Sequence, residues 1–310
     1  MKKVLLATTV LAMTATVAAA EVKLSGNARM GLIYNGNTVT TGSDSKLKLT
    51  SRVRIIFTAS GESDSGLSFG ATVRNDQSGQ GNTANGDSKV FISGAFGKLT
   101  FGDNDTAANV LVGHVDQISL TGLGDNNELG YLGMAKTSAL YEYSTGALSF
   151  AASVGQFGIA VPGSATQSQD AAAIAVKYTM DGYAVALGYE TNRLNTAGST
   201  GTAATVLNDN QLSLGLSGTF GQFGVKAVIA DRKSWGTTQY ALSGTYTMDA
   251  LKVTAFYANK DTKAAGVTTK SNAYGLGASY NLGGGATVVG GMQKVKGLKA
   301  VADVGVSLSF

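Results

Sequence analysis

The stretch KLKLTSRVRIIFTA, from Lys46 to Ala59, alternates with a period of two. Leu47, Leu49, Val53, Ile55, Phe57 and Ala59 fall on one side, with Ser51 as the exception, and Lys46, Lys48, Arg52 and Arg54 fall on the other. Such alternation describes an extended strand with two unlike faces. It recurs about sixteen times along the chain, and this repetition limits the fold more than any other feature. The intervals are approximately 21–34, 46–59, 67–75, 88–96, 99–103, 137–144, 148–155, 171–180, 183–190, 210–220, 223–230, 238–247, 251–259, 272–280, 286–294 and 301–310. Helical spacing is scarce, and a single proline, 42 glycines and no cysteine fit an all-β chain held by neither helices nor disulfides.

The connections alternate too. GESDSG, GK, TGA, DG, GQ, MDA and LGGG follow the even-numbered strands and are short and rich in turn residues. The odd-numbered connections are mostly longer and polar: 35–45, 76–87, 104–136, 156–170, 191–209 and 260–271. Short on one side and long on the other is the pattern of an up-and-down barrel in an outer membrane. The 44% hydrophobic content is dispersed by alternation, with no apolar run after residue 20 long enough for a helical span. In hydrocarbon every backbone donor and acceptor must be paired, so a sheet can span only by closing. Its apolar face then meets lipid and needs no core. Tyr34, Tyr183, Tyr189, Phe220, Phe223, Tyr280 and Phe310, near strand ends, fit interfacial girdles. Both termini fall on the short-turn, periplasmic side.

Residues 1–20, MKKVLLATTVLAMTATVAAA, have a basic start, an apolar middle and small residues before Glu21. They read as a secretory signal peptide cleaved after Ala20, leaving 21–310 as one barrel. The mature part carries 22 basic and 20 acidic residues. That balance, without basic runs interleaved with aromatics, argues against nucleic acid as a partner.

The chain resembles the general diffusion porins of Gram-negative outer membranes, most closely the alphaproteobacterial branch. The resemblance spans the mature chain and is clearest in EVKLSGNARMGLIY, SRVRIIFTASGESDSGLSFGATVR, FGKLTFGDNDTA and VADVGVSLSF. It implies a 16-stranded antiparallel transmembrane β-barrel with an inward-folded third long loop, assembled as a homotrimer among outer-membrane lipid and lipopolysaccharide. It also implies that Phe310 is an assembly signal for the barrel-assembly machinery, and that the channel passes ions and small hydrophilic solutes passively. The alternative is a substrate-specific sugar or amino-acid channel of the same fold, which would call for an aromatic track along the lumen. Most aromatics face lipid instead, with Phe91 and Phe256 among the exceptions.

The parity of the strands adds chemistry of its own. Arg29, Arg52, Arg54 and Arg74 share the polar faces of the first three strands, about 15–20 Å above the short turns at ~3.3 Å per residue. A water-filled lumen solvates such a cluster. The third long connection, about 103–136, holds Asp103, Asp105, Asp116, Asp125 and Glu128 against one base, Lys136. It also holds Val110, Leu111, Val112, Ile118 and Leu120, which can pin it to a wall. Acids on that loop facing arginines on the wall would form a charged constriction that selects ions. Asp103 stands where many general porins carry arginine, which weakens the basic side; the loop's excess of acids makes the expected preference mildly cationic.

Other chemistry finds less support. The lone His114 cannot build a multi-histidine metal site, and a hydrolase would need a nucleophile and carboxylate converging on it. GDND and GDNNE contain ligand types suited to a structural calcium but fit no EF-hand spacing. The reading is a channel that is neither an enzyme nor a cofactor protein.

Overall fold

The computed structural model describes residues 21–38, 45–78, 84–134, 137–157, 159–160, 167–196, 205–234, 236–264 and 267–310. The expected signal peptide and Lys136 lie outside the described residues. In chain order the strands are β1 (Glu21–Asn35), β2 (Leu47–Glu62), β3 (Ser68–Ser78), β4 (Ala84–Gly94), β5 (Gly97–Gly102), β6 (Ser138–Thr145), β7 (Leu148–Val154), β8 (Ile159–Ala160) and β9 (Gln167–Met180). They continue as β10 (Tyr183–Thr196), β11 (Thr205–Phe220), β12 (Phe223–Arg232), β13 (Thr237–Met248), β14 (Leu251–Ala264), β15 (Val267–Gly283), β16 (Ala286–Val295) and β17 (Val301–Ser309). One short helix, α1 (Ala107–Val112), follows β5.

Every ladder is antiparallel, and the sheet closes because β1 pairs with both β2 and β17. The two-residue β8 pairs with β9 beyond the point where β7 leaves it, so both occupy one place in the wall. The result is a 16-strand circuit, as the alternation predicts. The seam ends on a reciprocal pair: Gly26 N donates to Phe310 O at 2.7 Å and Phe310 N to Gly26 O at 3.1 Å. No open edge remains at that end, as a bilayer requires.

The turns are those that the sequence specifies. Asp181 and Gly182 both take positive φ, 45° and 83°, the geometry of a two-residue hairpin whose twist matches its strands. On the other side, four loops are shorter than expected: β3 runs to Ser78 and β4 starts at Ala84, and β9 already starts at Gln167. β10 runs to Thr196 and β11 starts at Thr205, while β14 reaches Ala264 and β15 starts at Val267. Hydrophobic alternation fades where the wall leaves lipid, but backbone pairing does not. Polar hairpin arms such as TNRLNT therefore continue the ladder without an apolar signal.

Burial is inverted relative to a soluble protein. Leu49 is 86% exposed and Val22 71%, while Gln211 and Glu190 are the largest fully buried side chains among the described residues, at 0% and 1%. Leaving a large apolar side chain in water forgoes about 1.5–3 kcal/mol, so an outer face bearing dozens of them requires lipid. On β11, Leu212, Leu214 and Leu216 are exposed, whereas Gln211 and Ser213 are buried on the opposite face. Leu214→Lys, about 15 Å above the short turn, should destabilise the barrel by about 2–4 kcal/mol in denaturant titrations from lipid vesicles.

Candidate functional site

The segment from Asp103 to Met134 lies along the polar face of the wall, fixed at intervals by side chains from many strands. Its root is held by Asn104, whose amide donates to Thr100 O at 3.2 Å and Ser138 O at 3.0 Å. Thr106 caps α1, its Oγ1 accepting from Asn109 N at 3.0 Å, and Ala107 N donates to Ser153 Oγ on β7 at 2.8 Å. Gly113 ends the helix at φ 69°. Asp303 on β17 then accepts from Leu120 N, Thr121 N and Thr121 Oγ1 at 3.0, 2.7 and 2.6 Å. Arg29 Nη1 on β1 donates to Leu120 O at 3.1 Å. Near the segment's end, Gly130 exchanges hydrogen bonds with the Gln239 side chain, and Glu190 accepts from Leu132 N at 3.3 Å and Gln211 Nε2 at 3.1 Å.

Glycine lets the segment approach so closely. A Cβ on Gly277 would lie 1.7 Å from the Ile118 carbonyl oxygen, and one on Gly291 2.4 Å from it. Cβ atoms on Gly31 and Gly305 would each meet Leu120 at 2.7 Å, and one on Gly215 would meet Val112 at 3.1 Å. Ile118 is buried with Phe256, and Leu111 packs against Leu140 and its alanine neighbours. Four of the five apolar residues expected to pin the segment therefore do so. Val110 instead stays exposed.

The four arginines come together on β1–β3. Arg29 and Arg52 are direct cross-strand partners. Arg52 donates to Asn27 Oδ1 at 3.0 Å, and Arg54 holds Asp76 with two bonds of 2.8 Å. Arg74 reaches Asp76 at 3.2 Å and also pairs with Asp87. These two carboxylates were missed by sequence reasoning, although Asp76 sits two residues after Arg74, on the same face, in VRND.

The five loop acids divide. Asp116 is tied to the wall by Lys226 Nζ at 3.0 Å and Ser243 Oγ at 2.8 Å, with Lys252 at 4.0 Å. Burial works to raise its carboxyl, but those bonds and lysine charges outweigh it and hold it below the usual carboxylate range. Asp103, Asp105, Asp125 and Glu128 are exposed, and none of them forms an ion pair among the described residues. Asp105 accepts from Asn109 at 3.2 Å and Asp125 from Gln117 at 3.4 Å. Glu128 is raised by burial first and then by the charges of Asp125 and Asp105, so these three carboxylates share one patch.

His114 is structural. Its Nδ1 accepts from Leu129 N at 3.1 Å, its ring meets Tyr131 edge-on at 5.4 Å, and burial lowers it, keeping the imidazole neutral. Among the described residues, no three His, Cys, Asp or Glu side chains gather as metal ligands.

A closed barrel, greasy outside and polar inside, with a long segment laid across its polar wall, is the architecture of an outer-membrane diffusion channel. The Gram-negative porin model matches residues 7–299, and the chain belongs to that family. A porin of Rhodobacter capsulatus is 38% identical over 222 residues, covering 68% of this chain and 67% of that protein. A solved porin refined at 1.8 Å superposes with a TM-score of 0.76 at 33% identity, covering 94% of this chain and all of the other. An engineered Rh. blastica porin shares the fold, with a TM-score of 0.71 at 22% identity over 94% of this chain and all of its own. The protein is a channel of the outer membrane and not an enzyme.

Two tests address the docking. Gly277→Leu should displace Ile118 and raise both conductance and current noise in planar bilayers; an unchanged channel would mean that the contact does not seat the segment. Because the folded Asp116 carboxyl lies below its unfolded value, its ion pair stabilises docking at neutral pH, and that contribution is lost as pH falls through the folded value. Acidification should increase current noise, and Asp116→Asn should show the same noise already at pH 7.

Proposed function

We propose that the channel passes ions and small hydrophilic solutes through a charged constriction between an arginine wall and an acidic loop. The wall is Arg29, Arg52, Arg54 and Arg74. The loop side is Asp105, Asp125 and Glu128, with Asp103 at its root. The carrying observation is the imbalance in pairing: Asp76 and Asp87 neutralise part of the arginine charge, while the loop carboxylates have no ion-pair partner among the described residues. Fixed charge at a narrow point raises the local concentration of counter-ions, so the channel prefers cations mildly. Asp116 contributes less to that field, because Lys226 neutralises it and it serves to dock the loop.

The same reading assigns a homotrimer in outer-membrane lipid and lipopolysaccharide, with residues 1–20 removed after Ala20 during export. Phe310 serves as the signal for the barrel-assembly machinery. Support for that role is its place at the seam, where its ring is exposed while its backbone completes the β1–β17 pairing.

Reversal potentials in a KCl gradient test the constriction. Mild cation selectivity is expected. Neutralising Asp105, Asp125 and Glu128 together should abolish it, and Arg52→Gln with Arg54→Gln should increase it. Clear anion selectivity of the unaltered protein overturns the assignment. The Glu128 carboxyl is raised, so selectivity should begin to fall above the pH at which an ordinary glutamate protonates, and Glu128→Gln should remove that early step.

A further inference from the structure

Between the acidic stretch of the loop and the wall lies a cavity of about 340 Å³, at the small end of ligand-sized sites. Its architecture follows from strand register. Ala241, Ala258 and Ala273 are consecutive cross-strand partners on β13, β14 and β15, all buried, and their small side chains leave a floor with room above it. The next inward-facing row is Gln239, Lys260 and Ser271, again consecutive partners. Gln239 is buried and occupied in holding Gly130, which fixes the opposite wall of the cavity. That wall is the loop itself, contributing Asp125, Asn126 and Glu128.

The charges lining this space are unspent. Lys260 is exposed, and its Nζ would lie 3.7 Å from a Cβ on Gly130, so it reaches the loop. It forms no ion pair among the described residues, and neither do Asp125 and Glu128. The cavity therefore presents two carboxylates and one ammonium to whatever enters. Its complement is a small solute with two positive groups and one negative group.

We propose that this cavity is a binding subsite for a basic amino acid. Lys260 receives the α-carboxylate, and Asp125 and Glu128 receive the α-ammonium and the side-chain cation. The inference rests on the channel reading above and adds a preferred solute to it: the loop would attract cations in general, whereas the subsite would retain those that also carry a carboxylate. Retention must be weak, because conduction requires that a bound solute leave.

Single-channel recording of the full protein with L-arginine tests this, with each block scaled to that variant's own open-channel current. L-arginine should give saturable interruptions. L-arginine methyl ester, lacking the carboxylate, and L-citrulline, lacking the side-chain cation, should each bind about tenfold more weakly, as expected for one lost charge-assisted contact. Lys260→Gln should erase the advantage of arginine over its ester, and Glu128→Gln should reduce the advantage of arginine over citrulline. If the ester blocks as well as arginine, or if Lys260→Gln leaves the difference intact, general cation attraction explains the block and the subsite is overturned. A KCl reversal potential on the same channels separates the two readings. Cation selectivity without Lys260-dependent block defeats only the subsite, whereas Lys260-dependent block without cation selectivity defeats only the proposed constriction.

Discussion

The structure depends on one constraint: no backbone polar group can face hydrocarbon without a partner. A sheet satisfies that only by meeting itself, and here it does so where β1 meets β17. Once the ladder is closed, the usual requirement for a greasy interior disappears. The outer face carries the apolar residues, and the inner face is free to be polar, charged or glycine-rich. Every functional feature of the protein uses that freedom.

The long segment after β5 uses it most. A stretch of mostly irregular backbone laid on a wall carries many donors and acceptors that a hydrophobic surface could not satisfy. The wall answers with buried Glu190, Gln211, Gln239 and Asp303, each bonded to the segment's main chain or to a neighbour that is. Glycines at 277, 291, 31 and 305 remove the side chains that would stand in the way. Polar pairing fixes the register of the segment, and absent side chains set its depth. Its exposed carboxylates are thus held in place by contacts made elsewhere along it.

Much of this was legible in the sequence. All sixteen alternating intervals became places in the wall, because a face in lipid must be apolar at every second position. The DG, GQ and MDA turns also appeared, since two-residue hairpins demand particular residues. The strand ends on the long-loop side were not legible. Pairing there runs past the lipid into segments such as KDTKA, which carry no apolar periodicity. The arginine cluster followed from parity and height alone. Its partners Asp76 and Asp87 did not, since pairing across strands depends on register, and Asp87 falls within the register shift opposite Val73–Asn75. The division of the loop acids into one anchor and four exposed groups was not visible at all, because it depends on which wall residue each one meets.

The seam at Gly26 and Phe310 has a consequence for how such a wall comes into being. The circuit is completed by residues at opposite ends of the barrel's strand order, Gly26 on β1 and Phe310 just past β17. No hairpin between neighbouring strands can finish the ring, so every partly assembled sheet keeps two raw edges that lipid will not tolerate. Closure thus joins the contacts most distant in sequence, and the wall settles in the bilayer as a whole rather than strand by strand.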